Sequence, residues 1–416
     1  YTIRVADGKT LEFSFLGMKT KRFKVNGQSR IDVVMEEEAQ QIDEVVVMGY
    51  GTARKVGTVV GSVGRISQQD IEKRPTTTVA DALQGKVAGV QIFTNSGEPS
   101  SVANIRIHGV GSLGSSSAPL YIVDGVAISS GGMLSINPND IESVSVLKDA
   151  SATSIYGSRA ANGVVYITTK RGKLNEKGEI TVSSQYGYSN LANRDVFGKM
   201  MNADELANYL IETRTFTPQY VNDLREKYPH NTRWDKVYFR EDIPMTQIDL
   251  SVSGGNAKTR YYISGGFHDQ QGIMYRSGFK RYTVRSNIDS KVNDWLKIGI
   301  NANAAWYEAE TNSFTSTNLN GGLGFMAYPF YSPVDENGNL YDLIPGLNHY
   351  HPKYLSEKLR SRTTGLELIP TAYLQITPVK NLTFKTQAGM QFDNALDDGR
   401  RMPSYAAFPN NGTVSR

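Results

Sequence analysis

The sequence predicts a mainly β protein: a large transmembrane antiparallel β-barrel, an α+β plug domain in its lumen, and a small β-sandwich-like N-terminal extension. Three observations lead there. From about Gly178 onward, apolar and polar residues alternate in segments of roughly ten, the period-two pattern of a barrel wall. Residues 59–173 read instead as compact, Gly-rich α/β text. No run of about 18 apolar residues occurs, so a transmembrane helix is not expected.

Composition is compatible with this and excludes other classes. The 416 residues are 39% hydrophobic, with a mean hydropathy of −0.38. That average suits a soluble β protein, but a barrel alternates lipid-facing and lumen-facing residues and averages low as well. The 23 Tyr, 15 Phe and 3 Trp suit interfacial girdles. No cysteine is present, which excludes a disulfide framework, thiolate metal sites and a Cys nucleophile. A net charge of +4 is too balanced to point to nucleic acid. The chain opens on strand-like Tyr1-Thr2-Ile3-Arg4-Val5 and is expected to start inside a domain.

Residues 1–38 read as the end of a small β domain, with strands over Thr2–Val5, Thr10–Leu16, Lys21–Val25 and Arg30–Met35. Asp7-Gly8 and Asn26-Gly27 supply tight turns. Residues 39–58 form a linker, in which Val45-Val46-Val47-Met48 is a β-branched run outside any evident hairpin. Such a run suits strand addition to a partner, but from spacing alone an ordinary buried strand is the better reading.

Residues 59–173 form the plug. Helices are expected over Ser67–Glu72 and Thr78–Leu83. Strands follow at Gly89–Phe93, Ala103–His108, Leu120–Val123, Ser143–Leu147 and Val164–Thr169. A Pro-Asn-Asp turn opens the stretch Asn137–Lys173, and a basic exit, Lys170–Lys173, hands the chain to the wall. Residues 174–416 carry the first strands and loops of the barrel. Short turns such as Asn256-Ala257-Lys258 alternate with long inserts, Asn190–Pro244 and Glu308–Leu366, as periplasmic turns alternate with extracellular loops. The first insert holds a helix, Ala203–Thr213, capped by Asn202.

About seven alternating segments follow residue 178. A small barrel is filled by its own side chains, and a plugged lumen takes roughly 22 strands. The sequence is therefore expected to cover only the first part of a larger barrel.

Few motifs suggest chemistry. Gly109-Val110-Gly111-Ser112-Leu113-Gly114 matches a dinucleotide fingerprint literally, but Ser and Pro follow where a helix must start, so a flexible loop is the better reading. The five histidines form no spaced metal set, and no Ser/His/Asp arrangement is present. No cofactor or enzymatic activity is expected. Asp124-Gly125 and Asp149 read as turn and cap residues. Arg106 and Arg159 are candidates for locking the plug to wall carboxylates, with solvated surface arginine as the alternative. The Gly/Ser loops around Asn95–Ser101 and Gly111–Ser117 place Asn95, Ser96, Ser112, Ser115 and Ser116 as candidate substrate contacts. The aromatic-rich loops Phe325–Tyr331 and Tyr341–Tyr354 suit sugars and peptides equally.

Four motifs carry a resemblance: Asp43–Gly51 (DEVVVMGYG), Asp81–Gly89 (DALQGKVAG), Pro119–Gly125 (PLYIVDG) and Asn137–Thr169, within which LKDASATSIYGSRAANG is the most specific. With these the chain resembles the SusC/RagA family of TonB-dependent outer-membrane transporters of Bacteroidetes. Residues 1–38 look like that family's carboxypeptidase-regulatory-like extension. The resemblance implies that Asp43, Glu44, Val45, Val46, Val47, Met48, Gly49 and Tyr50 form a TonB box. The box would pair with TonB, energised through ExbB/ExbD. It further implies a SusD/RagB-like lid lipoprotein over the loops, a dimer of such pairs, a place in the outer-membrane lipid, and import of oligopeptides or oligosaccharides. The plug and early barrel look closer to the peptide-importing branch. Siderophore import and a barrel-anchored adhesin are the further alternatives.

Overall fold

The computed structural model describes residues 5–15, 18–27, 30–34, 45–48, 52–55, 63–72, 78–94, 97–107, 109, 116–149, 153–311, 327–346, 349–402 and 413–415. The chain divides into two compact units, Tyr1–Met48 with Thr52–Val59, and Gly49–Gly51 with Val60–Arg416.

In the first unit, β1 (Thr10–Phe15) pairs antiparallel with β2 (Met18–Lys24). The turn residues act across it: Gly27 N–H donates to Asp7 Oδ1 at 2.6 Å. No strand forms over 30–34. The linker run departs from expectation. β3 (Val45–Met48) is half of a hairpin, because β4 (Thr52–Lys55) folds back on it antiparallel.

The plug is built on a sheet of β5 (Val63–Ser67), β10 (Ile141–Leu147), β11 (Val164–Thr169), β8 (Leu120–Val123) and β9 (Val126–Ile128), in that order. β8 and β11 run parallel, and β10 runs antiparallel to its neighbours. Between them in sequence, β6 (Gln91–Phe93) and β7 (Asn104–Arg106) form a separate pair. The helix Val79–Leu83 starts where Thr78 Oγ1 accepts from Asp81 N–H at 3.2 Å. Ile66, Val79, Leu83, Ile105, Val144, Val146, Val165 and Ile167 are fully buried in one core, joined from the wall by Ile369. Near-continuous apolar strands such as β8 and the first half of β11 follow from burial on both faces.

The wall is a single antiparallel sheet: β12 (Glu179–Ser189), β13 (Ile243–Gly255), β14 (Thr259–Gln271), β15 (Gly278–Lys291), β16 (Leu296–Glu310) and β19 (Leu359–Val379). β17 (Leu343–Ile344) and β18 (His349–Tyr350) make a small hairpin inside the second insert. β20 (Leu382–Gly389) and β21 (Phe392–Arg401) pair with successive halves of β19, and β22 (Thr413–Ser415) follows on β21. Each tight turn has a local cause. Asn256 Oδ1 accepts from Lys258 and Thr259 N–H, and Asn293 Oδ1 from Trp295 and Leu296 N–H.

Parity decides the two faces. Ile180, Val182, Ile248, Leu250, Ile263, Val284 and Ile300 are exposed on one side. Gln247, Ser264, Arg281, Thr283, Arg285, Asn287, Asn301 and Asn303 are buried on the other. An exposed apolar face over a buried polar one is the pattern of a wall with lipid outside. Phe267, Tyr282 and Trp306 are register partners and form an outward aromatic row, with ring centroids 5.0 and 5.6 Å apart. Trp295 is exposed at the tight-turn end. At the usual strand rise and a 45° tilt, Trp295 and Trp306 lie about 26 Å apart along the membrane normal, close to the apolar band of such barrels.

One wall strand is interrupted. β19 pairs with β21 up to Leu368–Phe392 and with β20 from Thr371–Gly389. Pro370 sits at the gap. Its carbonyl accepts from Met390 N–H at 3.1 Å, so its missing N–H is on that same side. The ladder breaks there, and Gln391 turns toward the plug.

The first insert folds around its own core. The helix Ala203–Glu212 carries a complete capping box between Asn202 and Glu205, and the helix Pro218–Lys227 is capped by Thr217. The segment 328–331 is clamped against them by Thr232 Oγ1 to the Tyr331 carbonyl (2.6 Å) and Trp234 Nε1 to the Tyr328 carbonyl (2.9 Å). Phe330 and Tyr331 are buried there, so these two aromatics serve the insert's core instead of facing a ligand. His351 caps the helix Pro352–Lys358, its Nδ1 accepting from Lys353 N–H at 3.2 Å.

Two expectations follow. In the full-length protein, Val284→Arg places a cation midway along the apolar outer face and should cost about 2–4 kcal/mol of barrel stability, read by denaturant unfolding in bilayers; Val284→Leu should be neutral. Burial, aided by the Lys353 charge, lowers the His351 pKa from 6.5 to about 4. Below 6.5 the unfolded insert therefore binds more protons, and cap stability is lost as pH falls toward about 4. Amide protection at Lys353–Leu355 should drop over that window, and His351→Asn should abolish the pH dependence while keeping a cap.

Candidate functional site: the seam between plug and wall

The seam is polar because the lumen face of the wall is polar. It is built from three joints, each set by a short element of the plug.

The first is the Pro138–Asp140 turn. Asn137 caps it by accepting from Asn139 N–H at 3.1 Å, with Pro138 preset for the first position. This points three side chains at the wall. Asn137 and Asn139 each donate an amide to one oxygen of Asp249, both at 2.6 Å. Asp140 Oδ1 accepts from Tyr262 (2.9 Å) and Ser264 (2.6 Å). Gly266 permits the approach, since a Cβ there would lie 2.4 Å from Asn137 Nδ2. Burial raises the Asp140 pKa, opposed by Arg285 and the two hydroxyl donors.

The second joint is the β8–β9 turn. Asp124 and Gly125 both have positive φ, 48° and 93°. The turn reading of Asp124 is thus right but incomplete. Its carboxylate also accepts from Thr169 N–H and Oγ1, at 3.1 and 2.5 Å, and lies 3.4 Å from Arg285 Nη2. Arg285 and Asp124 are nearly fully buried. Gln387 donates to the Asp124 carbonyl at 2.7 Å, and Asn287 to Thr169 Oγ1 and the Lys170 carbonyl. Further along, Arg281 donates to the Leu134 carbonyl at 2.9 Å. Gln391 accepts from Ser129 N–H and donates to Ser129 Oγ and Glu367.

The third joint is the basic exit. Arg171 Nη1 meets both oxygens of Asp289 at 2.8 and 2.9 Å. Asp289 also accepts from Arg260 Nε (2.8 Å) and Tyr373 (2.6 Å), so one carboxylate ties three wall strands to the plug. A Cβ on Gly172 would lie 2.2 Å from the Tyr261 carbonyl, so the chain passes close to the wall as it leaves the plug.

The expected site residues fare differently. Arg106 lies over the Phe93 ring at 5.4 Å, and Arg159 is exposed. Among the described residues neither forms an ion pair with a wall carboxylate. The buried arginines of this seam, Arg281 and Arg285, come from the wall, and the carboxylates Asp124 and Asp140 from the plug. This reversed polarity is legible in β15, where Arg281, Thr283, Arg285, Asn287 and Asp289 alternate with its apolar face. Ser116 is exposed, its Oγ accepting from Ala118 N–H at 3.2 Å. Asn95, Ser96, Ser112 and Ser115 lie outside the described residues, as do Asp43, Glu44, Gly49 and Tyr50 of the box; Val45–Met48 form β3. Among the described residues no cluster of metal-ligating side chains occurs.

The TonB-dependent Receptor Plug Domain family matches residues 55–164. The chain is 38% identical over 304 residues to TonB-dependent receptor P3 of Formosa agariphila, covering 72% of this chain and 28% of that protein. It is 34% identical over 355 residues to TonB-dependent receptor SusC of Bacteroides thetaiotaomicron, covering 83% and 34%. The RagAB peptide importer in its open-open state superposes with a TM-score of 0.77 at 39% identity, covering 88% of this chain and 44% of that one. The chain belongs to the SusC/RagA family. It is an outer-membrane β-barrel protein, and it spans less than half the length of these relatives.

Removing one partner of a buried pair strands the other charge and typically costs about 3–5 kcal/mol. Arg285→Met should therefore loosen the plug, read as higher leak conductance in planar bilayers. Asp124→Asn in the same chain should recover part of the loss, giving a non-additive double-mutant cycle.

Proposed function

We propose that this chain is the N-terminal part of an active importer of oligopeptides across the outer membrane, worked by TonB and closed by a SusD/RagB-like lid lipoprotein. The observation that carries the reading is a plug seated in the lumen by many hydrogen bonds and buried ion pairs, beside smaller apolar contacts such as Leu134 against Phe279, Tyr307 and Ala309. Each such bond can be exchanged for one to water, so the plug is stable at rest yet removable in steps.

The lever is β3. It has β4 on one side and takes no second strand among the described residues, which leaves an edge for strand addition. A strand of TonB added there would transmit the pull that the proton-motive force supplies through ExbB and ExbD. The long inserts, on the side opposite the tight turns, provide the surface for the lid.

The peptide reading rests on the RagAB likeness at 39% identity. It is also favoured by a cavity of about 520 Å³ in the insert layer. Met200, Met201 and Tyr328 line it beside Glu205, Arg233 and Asp235. Thioethers with charges of both signs suit varied peptide side chains better than the hydroxyl array of a sugar. Import of oligosaccharides is the second reading, favoured by the 34% identity to SusC.

Deleting residues 44–50 from the full-length protein should abolish uptake while leaving ligand binding and folding intact; persistent uptake would refute coupled transport. Mass spectrometry of ligand co-purifying with the native complex should find peptides, and oligosaccharides would favour the second reading.

A further inference from the structure

The plug also meets the loop side of the wall. Its loop 97–102, between β6 and β7, lies against the loop 272–277 that joins β14 to β15. Gly272 permits the contact, since a Cβ there would lie 3.1 Å from Pro99 Cδ. Three residues on, Val102 packs with Phe279 at the start of β15 and with Tyr307 and Ala309. Val102 leads into β7, whose Ile105 is buried in the plug core. The joints of the seam fall elsewhere in the plug, within residues 124–140 and 169–172.

The loop 272–277 is short and braced. Gly272 N–H donates to the Ser277 carbonyl at 2.8 Å, and Ser277 Oγ to the Met274 carbonyl at 2.8 Å. One residue of the first insert holds it from the other side. Arg240 N–H donates to the Ile273 carbonyl at 2.7 Å, beside a bridge between Phe239 and Met274. The Arg240 guanidinium donates to the Gly272 carbonyl (2.7 Å), the Met274 carbonyl (3.2 Å) and Gln271 Oε1 (3.3 Å), and lies over the Tyr275 ring at 5.6 Å. A planar fork bonded at several points fixes the orientation of the loop as well as its distance. Arg240 is itself anchored. Trp234 and Tyr238, just before it, are buried with Tyr331 and Ile344 of the second insert. Just after it, Asn190 and Asp242 exchange two hydrogen bonds of 2.9 Å, which close the base of the insert onto the end of β12.

We propose that Arg240 is a coupling residue: through the β14–β15 loop it fastens the insert layer to the loop 97–102 of the plug, so that the two move together. A load on the inserts then reaches β7 and the plug core from the loop side, without passing through the joints of the seam. The use of this coupling in import rests on the transport reading above; the coupling itself needs neither cargo nor TonB, so it stands or falls separately.

The test is amide exchange, read by mass spectrometry on the full-length protein in lipid nanodiscs. Arg240→Gln should speed exchange at least fivefold in 272–277 and also in 97–102, which lies beyond its own bonds. Arg240→Lys keeps the charge but not the fork, and should show most of the same increase. Arg225→Gln removes bonds to Asp204 and to the His230 carbonyl within the same insert, and should leave 97–102 unchanged. Because coupling is reciprocal, Pro99→Ala on the plug should speed exchange at Arg240; this reading decides the matter alone if Arg240→Gln lacks the heat-modifiable migration of a folded barrel. Unchanged exchange in 97–102 with Arg240→Gln would overturn the proposal and leave Arg240 a local brace. So would an equal increase there with Arg225→Gln, which would mark a general loosening, or unchanged exchange at Arg240 with Pro99→Ala.

Discussion

A wall one strand thick with lipid outside must turn its polar residues inward, and everything else in this structure follows from that. The lumen face is sealed by apolar packing only in patches such as Phe279, Tyr307 and Ile369, because most inward residues of β13 to β16 are Gln, Ser, Arg, Asn and Asp. A plug seated against it must supply a donor or acceptor for each group it covers, since a buried polar group left alone costs about 1–3 kcal/mol. The plug meets part of this demand with turns and chain ends, whose backbone and short side chains point outward, while Gln247 Oε1, Asn301 Oδ1 and Asn303 Oδ1 on the wall are buried without a protein partner.

The distribution of charge at the seam has a physical logic. Asp124 and Asp140 sit on the plug, Arg281 and Arg285 on β15. Buried pairs of this kind add little net stability compared with apolar packing, but they fix orientation and register strongly. Arg171 and Asp289 do the same at the exit, where the plug chain becomes the wall chain and a small displacement would misplace β12. The seam thus specifies a seat more than it strengthens one.

Much of this was legible in the sequence. Period-two alternation located β12 to β16, the second half of β19 and β20, but not β21, and Leu120–Val123 and Val164–Thr169 match the structure residue for residue. Asn202 was readable as a cap because capping is local. The bounds of β19 were not, since its first half, Leu359–Leu368, continues straight from a helix with no turn residue to mark it. Arg106 and Arg159 stand out in plug text, whereas the buried Arg281 and Arg285 of the wall are noticeable only once parity assigns them to the inside. The pairing of β3 with β4 was likewise missed, because a three-residue Gly-Tyr-Gly link is too generic a turn signal to call a hairpin.

Pro370 has a consequence for how the wall is assembled. In a long antiparallel ladder, a shift of two residues preserves which face is apolar, so hydrophobic patterning alone does not forbid it. A proline does. Its missing donor must meet the one place on the neighbouring strand that needs none, the interruption at Met390–Gln391. The residue that interrupts the ladder therefore acts as an alignment key: β20 and β21 match β19 in a single register, and only that register delivers Gln391 to Ser129.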